Sequence, residues 1–277
     1  MLKGRDIIIY LSIKYAGDWN AIYQAIKQKE LVDEALVQSE LKSIKSSVIT
    51  IIDDAYPESL KKIYKPPFVL FYYGDLNLIY MLEKTIAVIG SRHPSSYGLE
   101  MTETITKSLV EEGIMVVSGL AYGVDIKAHQ TVIAQQGKTI GILGSGIDVC
   151  YPKDHYETYE SMKKSHLILS EYPNGTPPHK DHFPWRNRLI AGLARGVFVA
   201  EAKKRSGTLI TVGYALYLGK DVYVLPHQAN TDNSTNQLIK DGAVLVESAQ
   251  DILEHLLGSQ EKEKALRQTQ ESEKKLS

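Results

Sequence analysis

The feature that most constrains the fold is a series of seven short apolar runs separated by segments of helical length. Continuous apolar runs that alternate with helices are typical of parallel strands buried on both faces. The series therefore predicts the α/β class, with an extended, Rossmann-like, doubly wound and mostly parallel sheet. The runs lie at 86–89, 114–117, 140–143, 167–169, 197–200, 222–225 and 243–246.

The residues on either side of this series divide the chain further. Apolar residues recur at helical spacing across 1–46, which predicts a small helical (SAM-like) domain. Two β-type runs at 48–52 and 69–73 predict one or two strands added to the main sheet. We expect one extended Rossmann domain over 47–258 and a polar, disordered tail over 259–277.

Composition narrows the class of partner. The chain has 32 Lys and Arg against 33 Asp and Glu, so any nucleic-acid binding must use a local patch. Cys150 is the only cysteine, which excludes an intramolecular disulfide and disfavours a cysteine zinc site. Because charges interrupt the N-terminal residues and no apolar stretch approaches membrane-spanning length, we expect a cytoplasmic protein without membrane contact.

One local patch of this kind covers residues 180–208. It holds seven basic and two acidic residues, with Phe183 and Trp185 among the basic side chains. Cations mixed with aromatic rings suit a ligand that carries phosphates and flat rings, such as a nucleic acid strand. The alternative at this point is a solvated basic loop beside an ordinary βα unit.

Small residues follow the first three apolar runs of the series. Since the carboxyl ends of parallel strands meet at one edge of a sheet, these turns and the helices after them should surround one crevice. Backbone N–H groups at helix N-termini bind anions, chiefly phosphate. No dinucleotide-binding or P-loop signature is present, and for any single glycine the alternative is a tight turn. The turns are Gly90-Ser91-Arg92, Ser118-Gly119 with Gly123, and Gly144-Ser145-Gly146.

Catalytic constellations are weak. Glu171 and Glu201 follow strands and could form a carboxylate pair, but charge balance or helix capping is the favoured interpretation. His179 and His182 could hold a metal only with Asp181 as a third ligand. No serine lies in a nucleophile elbow. The residues alone therefore indicate no clear catalytic site, and we expect no metal and no cofactor.

Several ordered stretches of the chain resemble the bacterial DNA-processing protein A family, DprA, also called Smf. The resemblance covers about residues 48–250 and extends through LIKDGA (238–243). The other matching stretches are IAVIGSR (86–92), SGLAYGVDIKAH (118–129), YPKD (151–154), SEYPNGTPP (170–178), FPWRNRLIAGL (183–193) and VAEAKKRSGTLIT (199–211).

The resemblance implies an extended Rossmann fold without enzymatic activity. It implies binding of single-stranded DNA that enters competent cells during natural transformation. It also implies protection of that strand and loading of the RecA recombinase for homologous recombination, by a homodimer. Many members of the family carry a small helical N-terminal domain, which fits the first 45 residues.

Carried over motif by motif, Arg92, Lys153 and Lys180 resemble the family's basic DNA contacts. Phe183 corresponds to an aromatic surface near the strand, and the turn Ser206-Gly207-Thr208 to a backbone cradle for phosphate. The residues that we expect to bind DNA are Gly90, Ser91, Arg92, Ser118, Gly119, Gly123, Lys153, Lys180, Phe183, Arg186, Asn187, Arg188, Lys203, Ser206, Gly207 and Thr208.

Two points qualify this resemblance. His227 and Thr235 stand where the family usually has glycine, so we expect a different shape for the loop 226–236. The alternative function is a Rossmann-fold nucleoside-phosphate hydrolase of the lysine-decarboxylase-like type. In that case Glu171 or Glu201 would serve catalysis and Arg92 would hold a 5′-phosphate. That group's P-G-G-x-G-T loop is absent from this chain.

Overall fold

The computed structural model describes residues 2–229, 231–256 and 258. These residues form a nine-stranded sheet of order β1-β2-β6-β5-β4-β3-β7-β8-β9. In chain order the strands are β1 Ser47–Thr50, β2 Val69–Gly74, β3 Thr85–Gly90, β4 Met115–Ser118, β5 Thr139–Leu143, β6 Leu167–Ser170, β7 Gly196–Glu201, β8 Asp221–Val224 and β9 Val244–Leu245. All seven predicted runs contribute to strands, which confirms the predicted α/β class.

The strand directions also agree with the prediction. From β6 to β9 all neighbouring strands pair in parallel. The strands β1 and β2 form an antiparallel extension at the β6 edge. The chain moves outward from β3 to β6 and then returns to place β7 on the other side of β3. Strand order therefore reverses between β3 and β7, which is where open α/β sheets bind ligands.

Helices cover both faces of the sheet. On one face Ile190 and Val212 join a core with strand residues, and on the other Ile105 and Val132 do the same. Because the central strands are buried on both sides, their sequences are apolar without alternation. The helices are α1 Gly4–Lys14, α2 Trp19–Lys27, α3 Glu34–Ser43, α4 Glu58–Lys61, α5 Ser96–Glu111, α6 Val124–Ala134, α7 Tyr156–Ser165, α8 His182–Leu193, α9 Gly207–Tyr217 and α10 Thr235–Lys240. Residues 249–256 are helical as well.

The N-terminal helices α1 to α3 pack against the antiparallel edge of the sheet. Ile9 of α1 is buried with Phe71 of β2. Trp19 stacks on Phe68 at a centroid distance of 5.2 Å, and its indole N–H donates to the carbonyl oxygen of Pro66 at 2.7 Å. Three helices thus lie within the residues for which a small helical domain was predicted, and they pack on the sheet; their assignment as a SAM-like domain stays a prediction.

Two further sequence expectations concern the C-terminal tail and membrane-spanning segments. The tail predicted over 259–277 lies outside the described residues. Among the residues that the structure does describe, no helix is both long enough and apolar enough to cross a bilayer.

Candidate nucleic-acid interface

A crevice of about 250 Å³ opens where strand order reverses, at the carboxyl end of β3. The turn after β3 lines one side of this strand-end crevice, and the N-terminus of α9 lines the other. The pairing of β3 with β7 shifts register between Ile89 and Gly90, which displaces the strand end locally. Nine of the sixteen predicted residues line the crevice: Gly90, Ser91, Arg92, Arg186, Asn187, Lys203, Ser206, Gly207 and Thr208.

The N-terminus of α9 supplies the backbone donors of the crevice. Ser206 has extended backbone angles and makes no side-chain cap, so its hydroxyl leaves the first N–H groups of the helix without that partner. The Ser206 hydroxyl oxygen is itself buried and makes no hydrogen bond with the described residues. Thr208 Oγ1 donates to the carbonyl oxygen of Gly90 at 3.0 Å, which fixes the helix start against β3. The arrangement suits an anion.

Arg186 and Asp125 form the floor of the crevice. Arg186 is only 4% exposed, and its guanidinium donates to the carbonyl oxygen of Ile142 and to Asn187 Oδ1. Burial lowers the pKa of Arg186 to about 10, and the nearby Asp125 carboxylate only partly opposes this effect. Burial raises the pKa of Asp125 to about 6, against the opposing effect of Arg186 and the backbone N–H of Ala121. The floor therefore combines a cation with a carboxyl group that titrates near neutrality.

The exposed cations lie at the rim. Arg92 and Lys203 are exposed and line the crevice. The guanidinium carbon of Arg92 also lies 5.4 Å from the ring centroid of Phe183, which lies beside the crevice rather than in it. Lys153 and Lys180 are exposed but do not line the crevice. Of these four exposed cations, Arg92 and Lys203 thus lie at the rim, and Lys153 and Lys180 lie outside the crevice.

Three further predicted residues, Ser118, Gly119 and Gly123, shape the surroundings of the crevice through their packing. Ser118 is fully buried, and its hydroxyl donates to the carbonyl oxygen of Val88 at 2.6 Å. A methyl group at Gly119 would overlap Arg186 and Asp125, so glycine there makes room for the crevice floor. Gly123 begins α6 with φ +77° and lies against the carbonyl of Ser91, where a side chain would overlap. The expectation that Ser118 and Gly119 contact DNA directly is corrected by their burial, whereas the contact expected at the half-buried Gly123 stays a prediction.

Arg188 lies in the interior instead of the crevice. Its side chain is 0% exposed, and its guanidinium donates to both carboxylate oxygens of Glu171, at 2.7 and 2.8 Å. It donates further to the carbonyl oxygens of Tyr64, Lys65 and Trp185, and it lies 4.1 Å from the Trp185 ring centroid. The predicted role of Arg188 as a DNA contact is therefore replaced by a structural one.

The two strand-end glutamates are held by other parts of the protein. Glu171 is the buried partner of Arg188. Glu201 Oε2 accepts hydrogen bonds from the backbone N–H and the hydroxyl of Ser95, at 2.9 and 2.7 Å, at the start of α5. These contacts correspond to charge balance and helix capping, the interpretation that the sequence favoured.

The loop that departs from the family pattern is fixed by Asn236. Its side-chain oxygen accepts from the backbone N–H of His227 at 3.0 Å, and its amide donates to the His227 carbonyl oxygen at 2.6 Å. His227 Nε2 donates to the carbonyl oxygen of Ala200 at 2.9 Å. The imidazole thus ties this loop to β7.

Sequence reasoning did not single out Asp125, Tyr122 or Tyr151, although each lies in or beside the crevice. All three belong to stretches that the resemblance quoted, and an acid or an exposed ring beside a phosphate-binding turn is the signal that could have identified them.

Known proteins match this chain over the region that builds the crevice. The family model described as DNA recombination-mediator protein A matches residues 47–257. DNA processing protein DprA of Streptococcus pneumoniae is 43% identical over 224 residues, 80% of this chain and 78% of that protein. DprA of Bacillus subtilis is 40% identical, covering 76% and 71%. Protein Smf of Escherichia coli is 37% identical, covering 73% and 54%.

Solved structures agree with these sequence matches. The X-ray structure of DprA from Streptococcus pneumoniae superposes with a TM-score of 0.76 at 38% identity, covering 90% of this chain and 92% of that one. DprA from Helicobacter pylori, in a structural study of its single-stranded DNA binding mode, has a TM-score of 0.69 at 31% identity, covering 78% and 98%. With its fold, its crevice and these relatives taken together, the chain belongs to the DNA recombination-mediator protein A family.

Proposed function

We propose that this protein binds single-stranded DNA across the strand-end crevice. The observation that carries the proposal is the convergence of the α9 N-terminus with Arg92, Lys203 and Arg186 in one crevice where strand order reverses. Backbone N–H groups and cations at such a site neutralise phosphates. The relative from Helicobacter pylori, studied for its single-stranded DNA binding mode, supports this choice of ligand.

The physical mechanism is electrostatic attraction combined with base stacking. Because the chain as a whole carries a net charge of −1, attraction is confined to the crevice and its rim. Phe183, half-buried beside Arg92, offers a ring surface to a base of any identity. Unpaired bases of a single strand can reach this ring, whereas the bases of a duplex are stacked inside it. Binding is therefore selective for single strands and tolerant of sequence.

The protein acts by binding and not by catalysis, as a cytoplasmic recombination mediator. It protects single-stranded DNA that enters during natural transformation and loads RecA onto it. This role is supported by membership in a family described as DNA recombination mediators. The structural engagement of Glu171 and Glu201 by Arg188 and Ser95 agrees with a mechanism that needs no carboxylate.

The active form is a homodimer. The last turns of α9 leave Leu216 and Tyr217 exposed, and a neighbouring apolar hollow is lined by Tyr64, Ile210 and Tyr214. A contiguous apolar surface of this kind on a soluble domain marks a contact with another protein surface.

The test is the binding of a labelled poly-dT strand at several salt concentrations, beside a duplex of equal length. Tight binding that weakens steeply with salt and prefers the single strand is expected, followed by nuclease protection and faster RecA filament formation on the bound strand. Absence of binding at low salt would contradict the proposal. Release of free base from a nucleoside monophosphate, abolished by Glu201→Gln, would favour the hydrolase instead.

A further inference from the structure

The floor of the strand-end crevice rests on the turn that follows β4. Gly119 is buried in this turn, and a methyl group there would overlap both the Arg186 guanidinium and the Asp125 carboxyl group. The guanidinium also donates to the carbonyl oxygen of Ile142 in β5, so it spans the ends of two neighbouring strands. The position of the Gly119 backbone therefore decides where the cation and the acid of the floor lie.

The Gly119 backbone is itself held by a histidine of α6. His129 is 0% exposed, and its Nε2 lies 2.5 Å from the carbonyl oxygen of Gly119. Its Nδ1 lies 2.7 Å from Thr139 Oγ1, at the start of β5. The imidazole thus joins α6 both to the turn after β4 and to the neighbouring strand.

The geometry fixes the tautomer of this ring. A carbonyl oxygen only accepts hydrogen bonds, so the hydrogen of the bond to Gly119 lies on Nε2. Burial lowers the pKa of His129 to about 4, against the opposing effect of that bond. The basic neighbours that lower the pKa further are His166, Arg186 and His155. The ring is therefore neutral near neutral pH, and the hydrogen bond that it donates goes to Gly119.

Asp125 lies on the same face of α6 as His129. The two residues are four apart, about one helical turn, and α6 packs across β3, β4 and β5. The Asp125 carboxylate accepts a hydrogen bond from the backbone N–H of Ala121, in the same turn as Gly119. One helix thus holds this turn at two points. A shift of the turn would change both the burial of Asp125 and its distance from Arg186.

We propose that His129 is a positioning residue for DNA binding: through the Gly119 carbonyl it fixes the turn on which Arg186 and Asp125 rest. The inference rests on the proposed function and adds to it a buried residue that does not line the crevice. Without this bond the turn moves away from α6, water reaches the Asp125 carboxyl group, and the Arg186 guanidinium loses the surface against which it packs. The floor then changes while the cations at the rim stay in place.

The experiment separates the two halves of the histidine bridge. The side-chain nitrogen of glutamine reaches as far as Nε2, whereas that of asparagine reaches only as far as Nδ1. His129→Gln therefore keeps a donor to Gly119, and His129→Asn does not. Thr139→Val is the matched control, because it breaks the other half of the bridge and leaves the bond to Gly119. Urea denaturation should show all three variants folded and less stable than wild type.

The carboxyl carbon of Asp125, followed by NMR over a pH series, reports on the floor directly. In wild type it should titrate at about pH 6, the value to which burial raises its pKa. In His129→Asn the pKa should fall towards the ordinary value of 3.8, since water relieves the burial. His129→Gln and Thr139→Val should titrate as wild type does. The cations that act on this carboxyl group, Arg186 and Arg92, are the same in all four proteins.

The binding of poly-dT at low salt gives the functional result. His129→Asn should bind severalfold more weakly than wild type, because Arg186 is displaced. Its affinity should not rise as the pH falls from about 7 to about 5.5, because Asp125 then keeps its charge. His129→Gln and Thr139→Val should keep the affinity and the pH dependence of wild type. A purely structural role would lower the stability of all three variants without separating them in this way.

The ¹⁵N spectrum of the His129 ring tests the same bond without any substitution, which matters if His129→Asn does not fold. A hydrogen on Nε2 at neutral pH agrees with the bond to Gly119. A hydrogen on Nδ1 would overturn the proposal, because the Gly119 carbonyl would then have no donor on the ring.

The possible failures are distinguishable. If His129→Asn titrates and binds as wild type does, the proposal is overturned and the proposed function stands. If His129→Asn and Thr139→Val weaken binding alike, the bridge supports the fold and not the floor, and the proposal is again overturned. If wild type binds no strand, the proposed function fails, and the titration of Asp125 still decides whether His129 positions the floor.

Discussion

The strand-end crevice and the region beneath α8 contain the two arginines of a single short motif. In the crevice, Arg186 lines an open cavity beside the carboxyl group of Asp125. Beneath α8, Arg188 is enclosed by the Glu171 carboxylate and the Lys65 carbonyl, in what we call the α8 junction (Lys65, Glu171, Trp185 and Arg188). Residues two apart on a helix are rotated by roughly 200°, so they face opposite sides. One arginine is open to a ligand, and the other stabilises the fold.

The α8 junction also joins distant parts of the chain. The Lys65 ammonium lies 5.1 Å from the Trp19 ring centroid of α2 and 5.7 Å from that of Trp185 in α8. It donates to Asn20 Oδ1 at 2.6 Å. The N-terminal helices are thereby fastened to the helix that carries Phe183 and Arg186. The comparison shows that the number of basic residues in a stretch of sequence does not give the number of DNA contacts.

The largest effect should follow from breaking the α8 junction. Arg188→Met leaves the Glu171 carboxylate buried without its partner, which should lower the free energy of unfolding by about 3–5 kcal/mol. Urea denaturation measures the change. Adding Glu171→Gln removes the unpaired charge and should recover much of the loss. If the variant unfolded like wild type but bound DNA weakly, Arg188 would be a DNA contact, and the two arginines would not differ in role.

The opposite pattern is expected in the crevice. Arg92→Ala should leave urea denaturation unchanged and weaken binding to poly-dT at low salt about tenfold, equally for all sequences. The slope of log affinity against log salt should fall by about 0.7, the value for one phosphate contact on a single strand. Lys84→Ala, which removes an equal charge from an exposed site before the amino end of β3, is the control and should leave the slope unchanged.

The floor of the crevice predicts a smaller, pH-dependent effect. The pKa of Asp125, raised by burial to about 6, leaves the group mostly ionised at pH 7, where it repels phosphate. DNA affinity should therefore rise severalfold as the pH falls from about 7 to about 5.5, and Asp125→Asn should bind tightly throughout. Burial lowers the pKa of Arg186 only to about 10, so it remains charged over this range, and burial lowers the pKa of His129 to about 4, so it stays neutral.

His93 at the rim requires a control, because histidine ordinarily titrates in the same range. The pH series should be repeated in a His93→Gln background, where the dependence on Asp125 persists. The titration of Asp125 should also change the stability of the fold. The folded-state pKa of Asp125 lies above the ordinary value of 3.8, so the free energy of unfolding should fall as the pH rises through about 6. If the DNA affinity of the His93→Gln variant did not vary with pH, the Asp125 carboxyl group would have no effect on the bound strand.

The smallest effects should come from the outlying lysines. Lys153→Ala and Lys180→Ala remove exposed charges that do not line the crevice, so each should reduce affinity no more than about threefold. The loss should lie mainly in the association rate at low salt, which stopped-flow fluorescence measures. If either variant lost as much affinity as Arg92→Ala, with a matching fall in the salt slope, that lysine would be a direct phosphate contact.

The strands of the fold were predictable from the sequence because the requirement that shapes each strand is local. Each strand buried on both faces needs a continuous apolar run, and all seven runs contribute to strands. The turns after β3, β4 and β5 were predicted to surround one crevice because parallel strand ends share one edge of the sheet, whereas a phosphate-binding turn before α9 was implied only by the resemblance. The placement of β7 beside β3 is a long-range pairing that no local period specifies.

The site was only partly predictable for the same reason. Arg186 and Arg188 are equivalent in a motif and differ only in which helix face packs inward, which depends on Glu171 elsewhere in the chain. Tyr122 and Tyr151 are separated by 28 intervening residues in the sequence and line one cavity only once the sheet has formed. Asp125 is a single acid in a helix, and burial gives it its altered pKa.

The most direct test of the central claim is the salt dependence of poly-dT binding by wild type and by the double variant Arg92→Ala, Lys203→Ala. If the strand-end crevice holds the DNA backbone, the double variant should remain folded, bind far more weakly at low salt and lose about 1.4 from the salt slope. A double variant with the affinity and slope of wild type would show that the strand is held elsewhere.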